Sequence, residues 1–178
     1  SNELLCVVPA RGGSKGILKK NLIDFNGKPL IAWTIEAALA SRGVDRVIVS
    51  TDSEEIAAVA LSFGAEVPFM RPKKLSQDNV HAIASVMHAL AWIKENEGKS
   101  LGEVMMLLPT SPLRQVDDVT GAINLFRESC APSLVSIVDL GKLLTNLRYL
   151  NEGVLEAVFS NEDPNQQRQG AEKLFGVN

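Results

Sequence analysis

Leu4-Leu5-Cys6-Val7-Val8-Pro9-Ala10-Arg11-Gly12-Gly13-Ser14-Lys15-Gly16 runs an apolar segment straight into a cationic, glycine-rich one. The apolar half is short, unbroken and rich in branched residues. That is how a strand buried on both faces of a sheet reads. In the second half, three glycines let backbone N–H groups turn toward an anion without a side chain in the way. Arg11, Lys15, Lys19 and Lys20 add positive charge, and Ser14 adds a hydroxyl. The combination suits a triphosphate. The spacing is neither G-x-x-x-x-G-K-[ST] nor G-x-G-x-x-G, so neither general nucleotide fingerprint applies. The plain alternative is a flexible connection carrying solvated lysines. Loops at strand ends commonly carry function, which favours the anion-binding reading.

Working outward, Pro29 to Leu39 has helical apolar spacing, with Pro29 suited to a first turn. Arg46 to Thr51 reads as a second strand. A helix follows from Asp52-Ser53-Glu54-Glu55 to about Phe63, with Gly64 as its stop. A short strand is expected at Glu66-Val67 and a loop at Arg71-Pro72-Lys73-Lys74-Leu75. A long helix is expected over Val80 to Asn96, with Ile83, Met87, Leu90 and Ala91 facing inward. Glu103 to Leu108 reads as another strand, broken by Pro109-Thr110-Ser111-Pro112. A helix over Val116 to Ser129 and a strand over Leu134 to Val138 complete the alternation. Leu147 to Phe159 reads as a β-hairpin turning at Asn151-Glu152-Gly153, and Asn161 to Gly170 as a polar loop.

Alternation of strands and helices predicts an α/β fold: a three-layer, Rossmann-like arrangement with a mainly parallel sheet and a projecting hairpin. Ligands in such sheets sit beyond the carboxyl ends of the strands, so the loops after residues 8, 51 and 108 are the places to search. The expected organisation is an α/β nucleotide-binding domain over 3–140, a hairpin insert over 141–170 and a return to the core over 171–178. Ser1-Asn2 reads as the remnant of a cleaved tag.

Composition narrows the class. The 178 residues are 46% hydrophobic and 22% charged, which excludes a disordered or collagen-like chain. Eighteen basic against 21 acidic side chains leave a formal charge of −3, which argues against a general nucleic-acid binder. No apolar run approaches the ~20 residues of a membrane helix, and no signal-peptide pattern opens the chain. The two cysteines, Cys6 and Cys130, form no metal or redox motif. A soluble, cytoplasmic protein is expected, with no nucleic-acid or membrane partner.

Val8-Pro9-Ala10-Arg11-Gly12-Gly13-Ser14-Lys15-Gly16, with Lys20-Asn21, resembles the signature of the acylneuraminate cytidylyltransferases. Pro109-Thr110-Ser111-Pro112-Leu113-Arg114 is a second match. Val49-Ser50-Thr51-Asp52, the set Arg71-Pro72, Leu75 and Asp78, and Arg168-Gln169 are weaker ones. The resemblance covers nearly the whole chain, in order. It implies that CTP and a 2-keto-3-deoxy acid sugar give a CMP-sugar and pyrophosphate, with Mg2+ as cofactor. It further implies a homodimer built through the hairpin region. Carried over residue by residue, Arg11 and Lys20 are the expected catalytic residues. Ala10, Arg11, Gly12, Gly13, Ser14, Lys20, Asn21, Asp78, His81, Pro109 and Thr110 are expected to bind the nucleotide. Ser111, Arg168 and Gln169 are expected on the acidic sugar, Arg168 in the neighbouring subunit's pocket. Arg114 is as readily a brace for its loop.

The chain also departs from that pattern. Leu108 stands where sialic-acid-specific members carry glutamine. Asn79, Val80, His81 and Ala82 replace small hydroxyl residues at the start of the long helix, and the nearest serine is Ser85. The family's His-Pro pair after the fifth strand is not visible between Asp139 and Thr145. These departures put N-acetylneuraminate in doubt and make another nonulosonic acid, such as a legionaminic or pseudaminic type, at least as good a candidate. A 3-deoxy-manno-octulosonate enzyme and a non-catalytic nucleotide-binding relative stay open. The family's acidic metal motif lies past Asn178, so the metal ligands are unknown. Asp52 and Asp78 are candidates that read equally well as helix caps. His81 and His88 share a helix face but lie about 10.5 Å apart along the axis, too far for one metal. Cys6, Trp33 and Trp92 read as packing residues.

Overall fold

The computed structural model describes residues 3–13, 16–77, 79–141, 148–151, 154–157 and 174–177, and beyond residue 138 the backbone alone. The chain forms two compact units, Ser1–Ser129 and Cys130–Asn178. The first contains β1 (Leu4–Pro9), β2 (Asp24–Phe25), β3 (Lys28–Pro29), α1 (Leu30–Ala40), β4 (Arg46–Ser50), α2 (Glu54–Ser62), α3 (Ile83–Glu97), β5 (Glu103–Met106) and α4 (Val116–Ser129).

Among the described residues the main sheet is three-stranded and parallel, in the order β4-β1-β5. Val7 lies opposite Ile48 on one side and Met106 on the other. The expected burial of β1 on both faces holds: Leu4 to Val8 are all in the core. Alternation divides them between two layers. Leu4, Cys6 and Val8 pack with Ile31 and Ile35 of α1, Ile56 of α2, and Val119 and Ile123 of α4. Leu5 and Val7 pack with Ile48 and with Val86, Ala89 and Ile93 of α3. Helices therefore cover both faces. Burial pushes the Cys6 thiol up to about 12, against the opposing charge of Arg114. Cys130 is exposed.

Three local expectations change. Helix α3 starts at Ile83, without a side-chain cap, and ends on Gly98 in the left-handed region. Its buried face is Ser85, Val86, Ala89 and Ile93, whereas Ile83 and Met87 are 55% and 61% exposed and Ala91 is exposed as well. A polar residue inside the true inner stripe had turned the apolar reading onto the neighbouring stripe. The strand expected at Glu66-Val67 is a single parallel bridge between Ile48 and Glu66. The cap of α2 is Ser53, whose Oγ accepts the Ile56 N–H; Asp52 is engaged elsewhere. The β2–β3 hairpin went unread, although Asn26-Gly27 is its signal: both residues have positive φ, as a two-residue hairpin turn requires.

In the second unit, β6 (Ile137–Gly141) pairs antiparallel with β9 (Leu174–Val177), and β7 (Arg148–Asn151) with β8 (Val154–Ala157). The strand expected over 134–138 thus begins three residues later, where its partner begins: Ile137 pairs with Val177. The expected hairpin is present as β7 and β8, with Asn151 opposite Val154. Among the described residues, no helix is long and apolar enough to cross a membrane.

Candidate active site

Strand β1 sits between β4, reached through α1, and β5, reached through α3. Strand order therefore reverses at β1, which opens a crevice at the carboxyl ends of β1 and β5. Backbone bonds carry the pairing just past the strand ends: Ala10 N–H to the Ser50 carbonyl at 2.9 Å, and Leu107 N–H to Val7 at 3.1 Å. Beyond them the chains part around a cavity of about 380 Å³. That volume lies within the usual range for small-molecule sites.

The loop after β1 is held from three directions. Gly12 N–H donates to Asp52 Oδ1 at 2.9 Å. A Cβ on Gly12 would lie 3.0 Å from Ser53 Cβ, so the close approach favours glycine there. Buried Asn21 donates from Nδ2 to the Arg11 carbonyl at 3.1 Å. The 3₁₀ turn Lys20–Leu22 then begins behind Lys19, whose φ of 49° is left-handed. That turn separates neighbouring lysines. Lys19 Nζ pairs with Glu55 at 2.7 Å on the surface, while Lys20 lines the cavity.

Of the residues expected to act, Arg11, Lys20, Asn21, His81, Pro109 and Thr110 lie on the cavity wall, together with Leu108. Ala10, Gly12, Gly13 and Ser111 are not on that wall; Ala10 is core and Gly12 secures the loop. Ser14, Asp78, Arg168 and Gln169 lie outside the described residues. Arg114 braces its loop: it donates to Thr34 Oγ1 at 3.3 Å and from both terminal nitrogens to the Leu108 carbonyl.

Sequence reasoning gave Arg71 only as part of a matching motif. It is the most constrained cation on the wall, only 6% exposed. Its N–H donates to the Thr51 carbonyl at 2.7 Å, and Nη1 donates to Ser85 Oγ. Nη2 lies 3.9 Å from Asp52 Oδ1, and neither Nη2 nor Nε has a hydrogen-bond partner among the described residues. Burial lowers its pKa, Asp52 opposes that, and Arg11 adds to it. An arginine stays charged even so. Arg11, Lys20 and Arg71 therefore place three cations on a wall with no acidic residue among its described members. Ser76 Oγ, also on the wall, is buried and without a partner among the described residues.

A family model described as Cytidylyltransferase matches residues 5–162. The chain belongs to this cytidylyltransferase family. A pseudaminic acid cytidylyltransferase of Campylobacter jejuni is 37% identical over 171 residues, covering 96% of this chain and 73% of that protein. A CMP-N,N'-diacetyllegionaminic acid synthase of Legionella pneumophila is 39% identical over 135 residues, covering 76% of this chain and 57% of that protein. A CMP:2-keto-3-deoxy-manno-octonic acid synthetase solved with CTP superposes with a TM-score of 0.60 at 23% identity, covering 77% of this chain and 51% of that one. At that identity the likeness shows the fold alone.

In this cytidylyltransferase His88 lies behind the wall rather than on it. Its ring meets Phe69 edge-on at 4.6 Å, and Nδ1 is buried with no partner among the described residues. Burial first, and the charge of Arg71 second, push its pKa below the ordinary histidine value. The fold thus prefers neutral His88. Its contribution to stability is complete above the unfolded pKa of about 6.5 and is lost as pH falls through the lower folded value. A melting curve taken from pH 8 downward is expected to lose part of its midpoint below about pH 6.5. His88→Gln is expected to flatten that loss; an unchanged pH dependence in the variant assigns the loss to other groups.

No three His, Cys, Asp or Glu side chains come together as a metal site among the described residues. Asp52, beside the loop, already accepts from Gly12 and faces Arg71. The described donor set does not fit a divalent ion.

Proposed function

We propose that the chain activates a nonulosonic acid of the pseudaminic or legionaminic type, with CTP as donor, to give a CMP-sugar and pyrophosphate. The observation that carries this is the wall of Arg11, Lys20 and buried Arg71, acid-free among its described residues, at the switch point of a cytidylyltransferase sheet. Three cations at one wall suit a triphosphate. Relatives named for pseudaminic and legionaminic acids support the sugar class. Apolar Leu108 on the wall agrees with a sugar other than N-acetylneuraminate.

In the reaction, the sugar's anomeric 2-oxygen bonds to the α-phosphorus and the bond from that phosphorus to the bridging oxygen breaks. The electron pair leaves with pyrophosphate, and the hydroxyl proton passes to solvent. No covalent enzyme intermediate is needed. Catalysis rests on alignment and on charge placed where the leaving group gains it. Arg11 and Lys20 hold the triphosphate in this reading, Arg71 donates to an acceptor oxygen on the nucleotide, and Thr110 faces the ribose or sugar. A homodimer formed through β7 and β8, with Arg168 serving the neighbouring pocket, belongs to the same proposal.

The test is pyrophosphate release from CTP, with added Mg2+ or Mn2+, across a panel of pseudaminic, legionaminic, N-acetylneuraminic and 3-deoxy-manno-octulosonic acids. Release with the first two is expected to exceed that with the others. Release only with 3-deoxy-manno-octulosonate moves the assignment to that sugar. CTP binding without release from any sugar supports a non-catalytic relative instead.

A further inference from the structure

Ser85 is 1% exposed and sits in the buried stripe of α3 beside Val86 and Ala89. Packing alone would favour alanine there. Helical serines commonly turn the hydroxyl back to a carbonyl one turn earlier. Ser41, Ser62 and Ser129 do so here, to Ala37, Val59 and Phe126. The Ser85 oxygen instead accepts from Arg71 Nη1 at 2.5 Å. Both residues line the cavity.

That bond decides where a planar group points. Arg71 is pinned at its backbone by Thr51 and at one corner of its guanidinium by Ser85. Asp52 Oδ1 stands 3.9 Å from Nη2, short of a hydrogen bond. The bond to Ser85 thus opposes closure of Arg71 onto Asp52, and it leaves Nε and Nη2 without hydrogen-bond partners among the described residues. A guanidinium so fixed is pre-organised for an acceptor oxygen, since little ordering remains to be done on binding. We propose that Ser85 is a positioning residue, which holds the Arg71 guanidinium at the cavity wall in the orientation that serves the bound nucleotide. Without the hydroxyl, Arg71 swings to Asp52 and its donors are withdrawn from the ligand. The inference rests on CTP as the ligand.

The experiment is a kinetic double-mutant cycle on the whole chain with CTP varied. Ser85→Ala is expected to raise KM for CTP about tenfold, the scale of one hydrogen bond to a charged group, with kcat within about twofold. Arg71→Ala is expected to raise KM at least as much, and Ser85→Ala added to it is expected to raise KM no further. Ser85→Thr, which keeps the hydroxyl, is expected to stay within about threefold of the parent. An unchanged KM in Ser85→Ala overturns the inference, as does the same loss in both Arg71 backgrounds, which marks a structural role. Failure of the parent chain to bind CTP by calorimetry overturns the nucleotide reading and this inference with it. Binding by the parent, matched by Ser85→Ala, overturns the inference alone.

Discussion

Arg11→Ala is expected to lower kcat/KM for CMP-sugar formation by roughly 10²–10³, with the fold retained. The magnitude is that of removing one pre-organised charge stabiliser from a reacting oxyanion. Arg11 lies outside both core clusters and on the cavity wall, so its loss removes charge rather than packing. Its carbonyl is held by Asn21, which fixes the origin of the side chain, and this bond survives the substitution because it uses the backbone. Arg11→Lys is expected to recover only part of the loss, since an ammonium lacks the planar fork. Steady-state kinetics and a melting curve on the same preparation check both halves. Activity within about threefold of the parent would remove Arg11 from the catalytic assignment.

Leu5→Ala carries the largest expected cost in stability, about 2–5 kcal/mol. Leu5 is 0% exposed and lies between two parallel partners, opposite Arg46 and Val104. It packs with Val7, Ile48 and the α3 face of Val86, Ala89 and Ile93. Truncation removes apolar contact and leaves a void that two flanking strands prevent from closing. A domain's whole stability is about 5–15 kcal/mol, so this one change takes a large share. Leu18→Ala provides the contrast: at 82% exposure it is expected to shift stability by no more than about 0.5 kcal/mol. Urea unfolding of both variants gives the comparison. A Leu5→Ala loss below about 1 kcal/mol would contradict the burial of β1 on both faces.

Much of this was legible in the residues because the strongest signals were local. An unbroken branched run marks a doubly buried strand whatever surrounds it, and β1 holds that place. The place of Arg11 and Lys20 on the cavity wall was readable because glycines and cations follow a strand end directly. The inner face of α3 was not. Ser85 interrupts the apolar stripe for a reason that lies 14 residues away, at Arg71. Arg71 itself was obscured in the same way. On the sequence it stands beside Pro72, Lys73 and Lys74 as part of a weak motif match with no role of its own, yet burial singles it out. Partners distant along the chain decide such residues, and no periodicity encodes them. Asp52 shows the converse: its position suited a helix cap, but Ser53 fills that place and leaves the carboxylate for Gly12.

The central strand also carries its own reporter. The chain's two thiols differ in accessibility: Cys6 is sealed in β1 with its pKa pushed up to about 12, and Cys130 is exposed. The thiolate is the species that reacts with an alkylating agent, so native Cys6 is silent on two counts. Cys130 labels at once and sets the scale of reagent and time. Every Cys6 adduct that accumulates afterwards records an opening of the strand that carries the glycine-rich loop. The ratio of the two labels thus turns an unmodified sequence into a clock for the sheet beneath the active site.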